Sequence, residues 1–526
     1  MALASEGVMG VQGRRRIDAR LVMAGLFIVA MIPILAAPIL PLIDFYDHVT
    51  RFFVLAHLTP GSALAENYRT HWAPIPDIGV DLIGVPILSI LAPLSAAKAI
   101  AILILAALYS GVLYFHRALT GRNSLLVAVL LLPLLYSYIL NWGFANFLLG
   151  LGLTFWGAGW WLSTRHNPRL AVPVACIWSV LIYLSHGATF ALYGILLASL
   201  EIGFYFTSRP RQPRALFRAL GLLAVQAIIP AILFVPWTLK MLEQGRAMAS
   251  QIPPADQLVG VIPVVHNGLH RLSAILRVEE GPAYWFDIGT FVLQAMIGIL
   301  LLRRGTFTIV RPAYFLIAVA VLLIAVVPSQ FLGTSYISDR MPVFGALCLL
   351  GALSVRQGQW PALDRAAAGL LIVVAAARLI AVTVQWQGYD GYYKEFRTAA
   401  AQIPPRSVTL GVMVGSGHHE TNVPRCEMFA PLLVSLYGHA VPLFSDPSQQ
   451  PLLLTGNLAK ARDGLRKLAV LPSEQTKDYN PYMSAARQAG YDVLFVCNRH
   501  LLTRPYSPDW RVVTETPHFA VLQAQR

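Results

Sequence analysis

The sequence predicts an all-α polytopic membrane domain of about eleven transmembrane helices, followed by a small extracytoplasmic α/β domain. Three observations lead there. The 526 residues are 56% hydrophobic and only 13% charged, against roughly 25% charged in soluble domains. Mean hydropathy is +0.60, and apolar runs of spanning length follow one another as far as residue 386. Beyond residue 387 the composition changes to short β-type stretches separated by turn residues. A net charge of +14 does not point to nucleic acid. The arginines fall in short clusters between apolar runs, the distribution that orients a membrane protein, and no long basic stretch with interleaved aromatics occurs.

The apolar runs lie near 21–43, 96–116, 124–140, 147–163, 169–184, 187–206, 215–237, 284–302, 312–328, 341–355 and 366–386. The first is longer than the core of about 7–15 residues typical of a leader peptide, and no small-residue cleavage pattern follows it. It is therefore expected to be a span behind a cytoplasmic tail, 1–20. A further run, GVDLIGVPILSILAPL at 79–94, would reverse the side of every later loop if it crossed the bilayer. Charge decides against that. With 79–94 left out, Arg14, Arg15, Arg16 and Arg20 share a face with Arg117, Arg122, Arg165, Arg169, Arg209, Arg211, Arg214, Arg218, Arg303, Arg304, Arg311, Arg356 and Arg365. That face is expected to be cytoplasmic. Pro86, Pro93 and Asp81 are also poorly suited to a lipid-facing span, so 79–94 is expected in the interface or dipping back into the protein.

The membrane domain then covers 21–387, with outer loops 44–95 and 238–283, and the outer domain covers 388–526. In that domain QIPPRSVTLGVMVGSG, GYDVLFVCNRH and DWRVVTETPHFAVLQAQR read as strands, and 474–490 as loop then helix. Cys176 and Cys348 lie in apolar runs as small core residues, whereas Cys426 and Cys497 fall in the outer domain, where an oxidising compartment would let them pair. No internal repeat stands out.

Chemistry concentrates where the first span ends, in 42-LIDFYDHVTRFFVL-55. On a helix Asp44, His48 and Arg51 share one face at i, i+4 and i+7, with Asp47 beside them. Two carboxylates, an imidazole and a guanidinium would meet at the membrane surface; the plainer alternative is that they solvate a helix end. Asp44, Asp47 and His48 offer donors for a divalent metal such as Mg or Mn, at a spacing far less specific than a zinc motif.

This layout resembles the integral-membrane glycosyltransferases of the GT-C superfamily: an acidic motif opening a long first outer loop, interfacial helices, many spans and a soluble outer domain. The stretch 74-PIPDIGVDLIGVPILSILAPLSAAKAIAILILAALYSGVLYFHRALTG-121 resembles the segment that precedes the second span in the aminoarabinose and mannosyl transferase branches, without their Lys-Pro-Pro opening. DFYDHVTR resembles an Asp-x-x-(Asn/Asp)-His variant of the acidic motif. The resemblance implies a GT-C-like fold in a bacterial-type inner (plasma) membrane. It further implies transfer of a sugar from a polyprenyl-phosphate donor to a glycan, lipid or protein acceptor, with Asp44 or Asp47 as catalytic carboxylate and His48 and Arg51 in support. The chemistry is coherent, because a carboxylate at a membrane mouth can take an acceptor's proton while cations or a metal stabilise the leaving phosphate.

Other outer-side residues are weaker candidates. Arg340, and then His266 and Arg271 in the second long loop, offer charge for the lipid phosphate. Trp72, Asn141, Asn146 and His186 are candidates for the acceptor or donor pocket; an interfacial tryptophan, a hairpin turn and a satisfied histidine are their ordinary roles. In 418-HHET-421 the HExxH spacing is absent, and no phosphate-binding glycine loop is present. A transporter or flippase of a lipid-linked saccharide would favour repeated halves and charges within spans. A non-catalytic assembly protein would keep the layout without a shared cavity.

Overall fold

The computed structural model describes residues 18–249, 271, 273–281, 283–329, 335–415, 428–445, 449–468, 470, 472 and 477–525. Each predicted apolar run contains helix, three of them as two helices with a break, and the run 341–355 ends in a short strand. Twelve helices lead from the N-terminal side: α1 Ala19–Ala30, α2 Ile32–Ala36, α3 Phe45–His57, α4 Gly79–Leu88, α5 Pro93–Thr120, α6 Leu125–Leu135, α7 Tyr138–Trp142, α8 Ala145–Thr164, α9 Pro168–Ser185, α10 Gly187–Thr207, α11 Pro213–Gln226 and α12 Ile228–Ala249. The helices Tyr284–Arg303, Ala313–Val326, Ile337–Ala352 and Ala362–Gly388 complete the bundle.

Among the described residues seven stretches are long and apolar enough to cross a membrane, or eight if α11 and the start of α12, bent by 54°, form one span. The chain is an integral membrane protein. The lower count has a physical cause. Ala313–Val326 has 14 residues and Ile337–Ala352 has 16, short of the roughly 17–25 that cross a bilayer. Glycine and tryptophan dilute the apolar content of α8. α4, at 10 residues, is about 15 Å long, half the hydrocarbon thickness.

α5 and α8 form the densest helix contact because glycine lets their backbones touch. A Cβ at Gly152 would sit 2.7 Å from the backbone of Ala107, and one at Gly111 would strike the Gly152 carbonyl. Such small-residue contacts replace the hydrophobic drive that lipid cannot supply. The helix order places the loops that carry Arg122, Arg165, Arg209, Arg304 and Arg356 at the end of the bundle away from α3.

The C-terminal part is α/β. The strands β4 Thr409–Met413, β6 Val493–Cys497, β7 Trp510–Glu515 and β8 Phe519–Ala524 form one sheet in the order β4-β6-β8-β7, with β4 and β6 parallel and the rest antiparallel. They fall in the three stretches that read as strands, and the helix Asn480–Ala489 falls in 474–490. Buried Phe396, Phe429, Phe495 and Phe519 cluster against the sheet. Cys497 is disulfide-bonded and Cys176 and Cys348 are free thiols; Cys426 lies outside the described residues.

Sheet pairing also joins the two parts. β1 Tyr68–Thr70, in the first outer loop, runs antiparallel to β5 Leu452–Leu454, and Tyr68 donates its hydroxyl hydrogen to the Val441 carbonyl at 2.7 Å. Thr50 on α3 likewise donates to the Pro431 carbonyl at 3.2 Å.

Candidate functional site

The site begins with the entry into α3. Ile43 and Asp44 donate their backbone N–H groups to the Asn141 and Trp142 carbonyls at 3.2 and 3.0 Å. The turn that permits this needs glycine: Gly143 has φ +81°, and a Cβ there would lie 2.5 Å from the Phe45 nitrogen. Asp44 is thereby fixed as the residue that opens α3. Phe45, Tyr46, Val49 and Phe52 are buried, so the helix lies between the bundle and the C-terminal domain instead of standing in water.

α4 supplies the second wall. Arg51 is fully buried and makes a two-point pair with Asp81, Nε to Oδ1 at 2.7 Å and Nη2 to Oδ2 at 2.9 Å. Its Nη1 has no partner among the described residues. Just before α4 the chain turns through Asp77, whose φ of +72° is unusual for a residue with a side chain. Asn146 at the start of α8 holds that turn, donating to the Asp77 carbonyl at 2.8 Å and accepting from the Val80 N–H at 2.8 Å.

The third wall is cationic and aromatic. Arg340 sits over the rings of Phe144 and Phe147, 4.0 and 5.1 Å from their centroids, and donates from Nη2 to the Ser335 carbonyl at 3.1 Å. Its Nε has no hydrogen-bond partner among the described residues. His186 caps α10, its Nδ1 accepting from the Ala188 N–H at 3.1 Å, so a neutral ring carries its proton on Nε2. That nitrogen is 3.6 Å from the Asp77 carboxylate and 2.9 Å from Arg340 Nη1. Arg340 therefore faces a donor there, and an anionic oxygen would satisfy it better.

These walls enclose a cavity of about 210 Å³ lined by Asp44, His48, Arg51, Asp77, Asn146, His186 and Arg340, with Phe144, Phe147 and Tyr336 from the bundle and Phe444, Gln449 and Gln450 from the C-terminal domain. Burial pushes Asp77 up to about 7, against the pull of Arg340 and Arg51. Burial, then the charge of Arg51, holds His48 well below the usual imidazole range, and burial, then Arg340, does the same to His186. Both rings are neutral acceptors or donors near pH 7. A second cavity of about 300 Å³ adjoins, lined by apolar groups of α10, α12 and the helix Ile337–Ala352, including Leu192, Ile195, Phe234, Trp237 and Met341. Asp77 and His186 belong to both.

The structure thus brings together Asp44, His48, Arg51, Asn146, His186 and Arg340 from the sequence reading. Asp47 stands apart: its Oδ1 accepts the Phe444 N–H at 2.9 Å, and burial pushes its carboxyl up to about 7. Asn141 contributes its backbone carbonyl to the entry of α3 and does not line the cavity. Trp72 is 47% exposed, beyond β1. Arg271 donates to the Ile324 carbonyl at 3.2 Å and to that of Ala325, at the end of the helix Ala313–Val326, where a cation suits the helix dipole. His266 lies outside the described residues. Asp44, Asp47 and His48 do not form one donor set, and among the described residues no three His, Cys, Asp or Glu side chains are grouped to hold a metal. The sequence reading did not single out Asp77. Its signal was present as the Pro-Asp-Ile turn ahead of α4, but the left-handed backbone that aims it depends on Asn146.

No family model matches the sequence, and no curated protein matches it. The chain is similar to solved structures over nearly its whole length. ArnT from Cupriavidus metallidurans in the apo state is 12% identical, with 96% of this chain and 98% of that chain covered and a TM-score of 0.48. The same protein bound to undecaprenyl phosphate is 13% identical, with 96% and 97% covered and a TM-score of 0.47. The archaeal oligosaccharyltransferase AglB from Archaeoglobus fulgidus, in complex with an inhibitory peptide and a dolichol-phosphate, is 13% identical, with 91% and 70% covered and a TM-score of 0.41.

Proposed function

We propose that this protein is a membrane glycosyltransferase that moves a sugar from a polyprenyl-phosphate-linked donor to an extracytoplasmic acceptor. The observation that carries this reading is the pair of adjoining cavities with two lining residues in common. One is polar and holds two carboxylates and two incompletely satisfied guanidiniums; the other is apolar; Asp77 and His186 form their shared wall. A molecule that fits both has an anionic head and a hydrocarbon tail. Arg340, with its unpartnered Nε and with Nη1 against a donor, takes the phosphate. The tail lies along α10 and α12.

Asp44 is the proton acceptor in this reading. The acceptor's hydroxyl oxygen attacks the anomeric carbon, the bond from that carbon to the phosphate oxygen breaks, and the electron pair leaves with the phosphate. The hydroxyl proton passes to the Asp44 carboxylate. Arg340 and Arg51 offset the charge that grows on the phosphate, while Phe144 and Phe147 keep the Arg340 guanidinium in plane against them. Asp47 anchors the Phe444 segment over the cavity. The two guanidiniums supply a cationic complement for the donor phosphate.

Purified full-length protein incubated with a panel of polyprenyl-phosphate sugars and candidate glycan, lipid and peptide acceptors tests the reading. The expected outcome is loss of sugar from at least one lipid, dependent on Asp44. Retention of sugar on every lipid, with transbilayer movement of the intact lipid-linked sugar in vesicles, would replace transfer by transport.

A further inference from the structure

At the end of the bundle away from α3, where β2, Phe307–Ile309, pairs antiparallel with β3, Leu353–Val355, a separate cavity of about 400 Å³ lies where α5 gives way to α6 and where β3 leads into the loop before Ala362. Its lining includes His116, Arg122, Leu125, Leu126, Arg356 and Trp360 and contains no Asp or Glu. Arginines at this end of a membrane protein ordinarily serve orientation and need only water around them. Here three further features converge on a concave space.

Neither Arg122 nor Arg356 has an ion pair or a side-chain hydrogen bond among the described residues. The carboxylate that feels the charge of Arg356, Asp364, is already held by Arg304 and Thr306. His116 is only 2% exposed; its Nδ1 meets the Gly351 carbonyl at 3.3 Å, and its Nε2 has no partner among the described residues. Finally, α6 begins at the cavity. Ser124 caps it by accepting the Val127 N–H at 3.3 Å, which leaves the N–H groups of Leu125 and Leu126 without acceptors in the helix, at the positive end of its dipole.

We infer that this cavity binds a phosphate-bearing anion on the face of the bundle opposite the candidate transfer site, independently of the reaction proposed there. Arg122, Arg356 and the first turn of α6 surround the phosphate oxygens, and the unpartnered His116 nitrogen accepts from a hydroxyl of the ligand. Leu125, Leu126 and the Trp360 indole give an apolar flank, as at membrane interfaces. A phosphodiester headgroup of an anionic lipid carries both parts, since basic pockets between spans are a known way to hold such headgroups; a free phosphate carries only the first.

Calorimetric titration of the full-length protein in neutral detergent separates these sources. The ligands are short-chain phosphatidylglycerol, short-chain phosphatidylcholine and inorganic phosphate, tested on wild type and on R122Q/R356Q. Both arginines are exposed, so the double variant should keep the wild-type melting midpoint; the single variants serve if it does not. Expected is binding of phosphatidylglycerol that weakens with salt and is about tenfold weaker in the double variant. Phosphatidylglycerol binding without inorganic phosphate binding assigns a lipid headgroup. Equal binding of inorganic phosphate assigns a soluble phosphate. Phosphatidylcholine bound as tightly as phosphatidylglycerol, affinities unchanged in the variants, or no binding of either anion would overturn the site.

Discussion

Two clusters of buried charge in this molecule look alike by composition and differ in closure. In the bundle interior, Arg378 pairs with Asp287, lies 3.3 Å from Glu279 Oε2 and donates to the Glu279 carbonyl. Asp287 Oδ2 accepts the Gly281 N–H at 2.8 Å, and Glu279 accepts from Gln294 at 2.8 Å. The Arg378 Nε is within ion-pair distance of Glu279 although its angle misses hydrogen-bond geometry. One guanidinium therefore has two carboxylates of its own. In the candidate site, among the described residues, Arg51 has one carboxylate partner and an Nη1 without a hydrogen bond, while Arg340 has a backbone carbonyl, a histidine and an Nε without one, and both line the cavity. Buried donors are costly to leave unmade. A closed cluster ties helices together; an open one is built around something that comes and goes.

Substitutions should separate the two. The largest effect is expected at Asp44: Asp44→Asn keeps shape but removes the proton acceptor, lowering turnover by about 10²- to 10⁴-fold with the melting midpoint unchanged. Sugar release from the lipid measures it; full turnover in Asp44→Asn with none in Asp77→Asn would move the base to Asp77. Next, Arg378→Leu leaves two buried carboxylates unpaired and should destabilise the fold by about 3–5 kcal/mol, read as a lower unfolding midpoint. Were Arg378→Leu stable but inactive, the closed cluster would have to be counted as part of the site. The mirror case is Arg340→Ala, expected to fold normally and to lose about 1.5–3 kcal/mol of donor binding, measured by titration with the polyprenyl-phosphate donor.

The smallest effect is in pH. Asp47 and Asp77 both have folded values raised to about 7, above the ordinary value of about 4 that applies when unfolded. The folded state then binds more protons at these two sites between these limits, so their contribution to stability is fully present below about pH 4 and is lost as pH rises through 7. Asp47→Asn should flatten part of that fall in the unfolding midpoint. Donor affinity should also drop as pH rises through about 7, because Asp77 gains a negative charge beside the phosphate; Asp77→Asn should abolish that part of the profile.

The membrane helices were legible because length and apolarity are local properties: every predicted run contains helix, although 21–43, 124–140 and 215–237 are each broken in two and 341–355 ends in a strand. The site was legible where helical spacing or loop parity fixes position. Asp44, His48 and Arg51 line one cavity because they share a face of α3, and Asn146, His186 and Arg340 reach it because each sits at the same end of a helix. What could not be read depends on contacts across the chain. Asp47 shares the α3 neighbourhood, yet a backbone N–H 397 positions away claims it. Arg271 has the right charge and loop, but helix-terminal carbonyls hold it. Trp72 lies within the correct loop, on the far side of a strand whose partner is β5. Asp81 reads as an awkward polar group in an apolar run, whereas it is the counter-charge that allows Arg51 to be buried.

The pairing of β1 with β5 sets the order in which this molecule can be completed. Tyr68 meets Leu454 in register, and Phe444, Gln449 and Gln450 close the cavity that Asp44 opens. Synthesis proceeds from the N-terminal side at about 5–20 residues per second, so α3 and its loop wait for tens of seconds, with β1 lacking its neighbour, until the last domain has been made. During that interval the cavity has no roof. An unfinished chain thus holds the acidic residues of α3 without the enclosure that the proposed transfer would use.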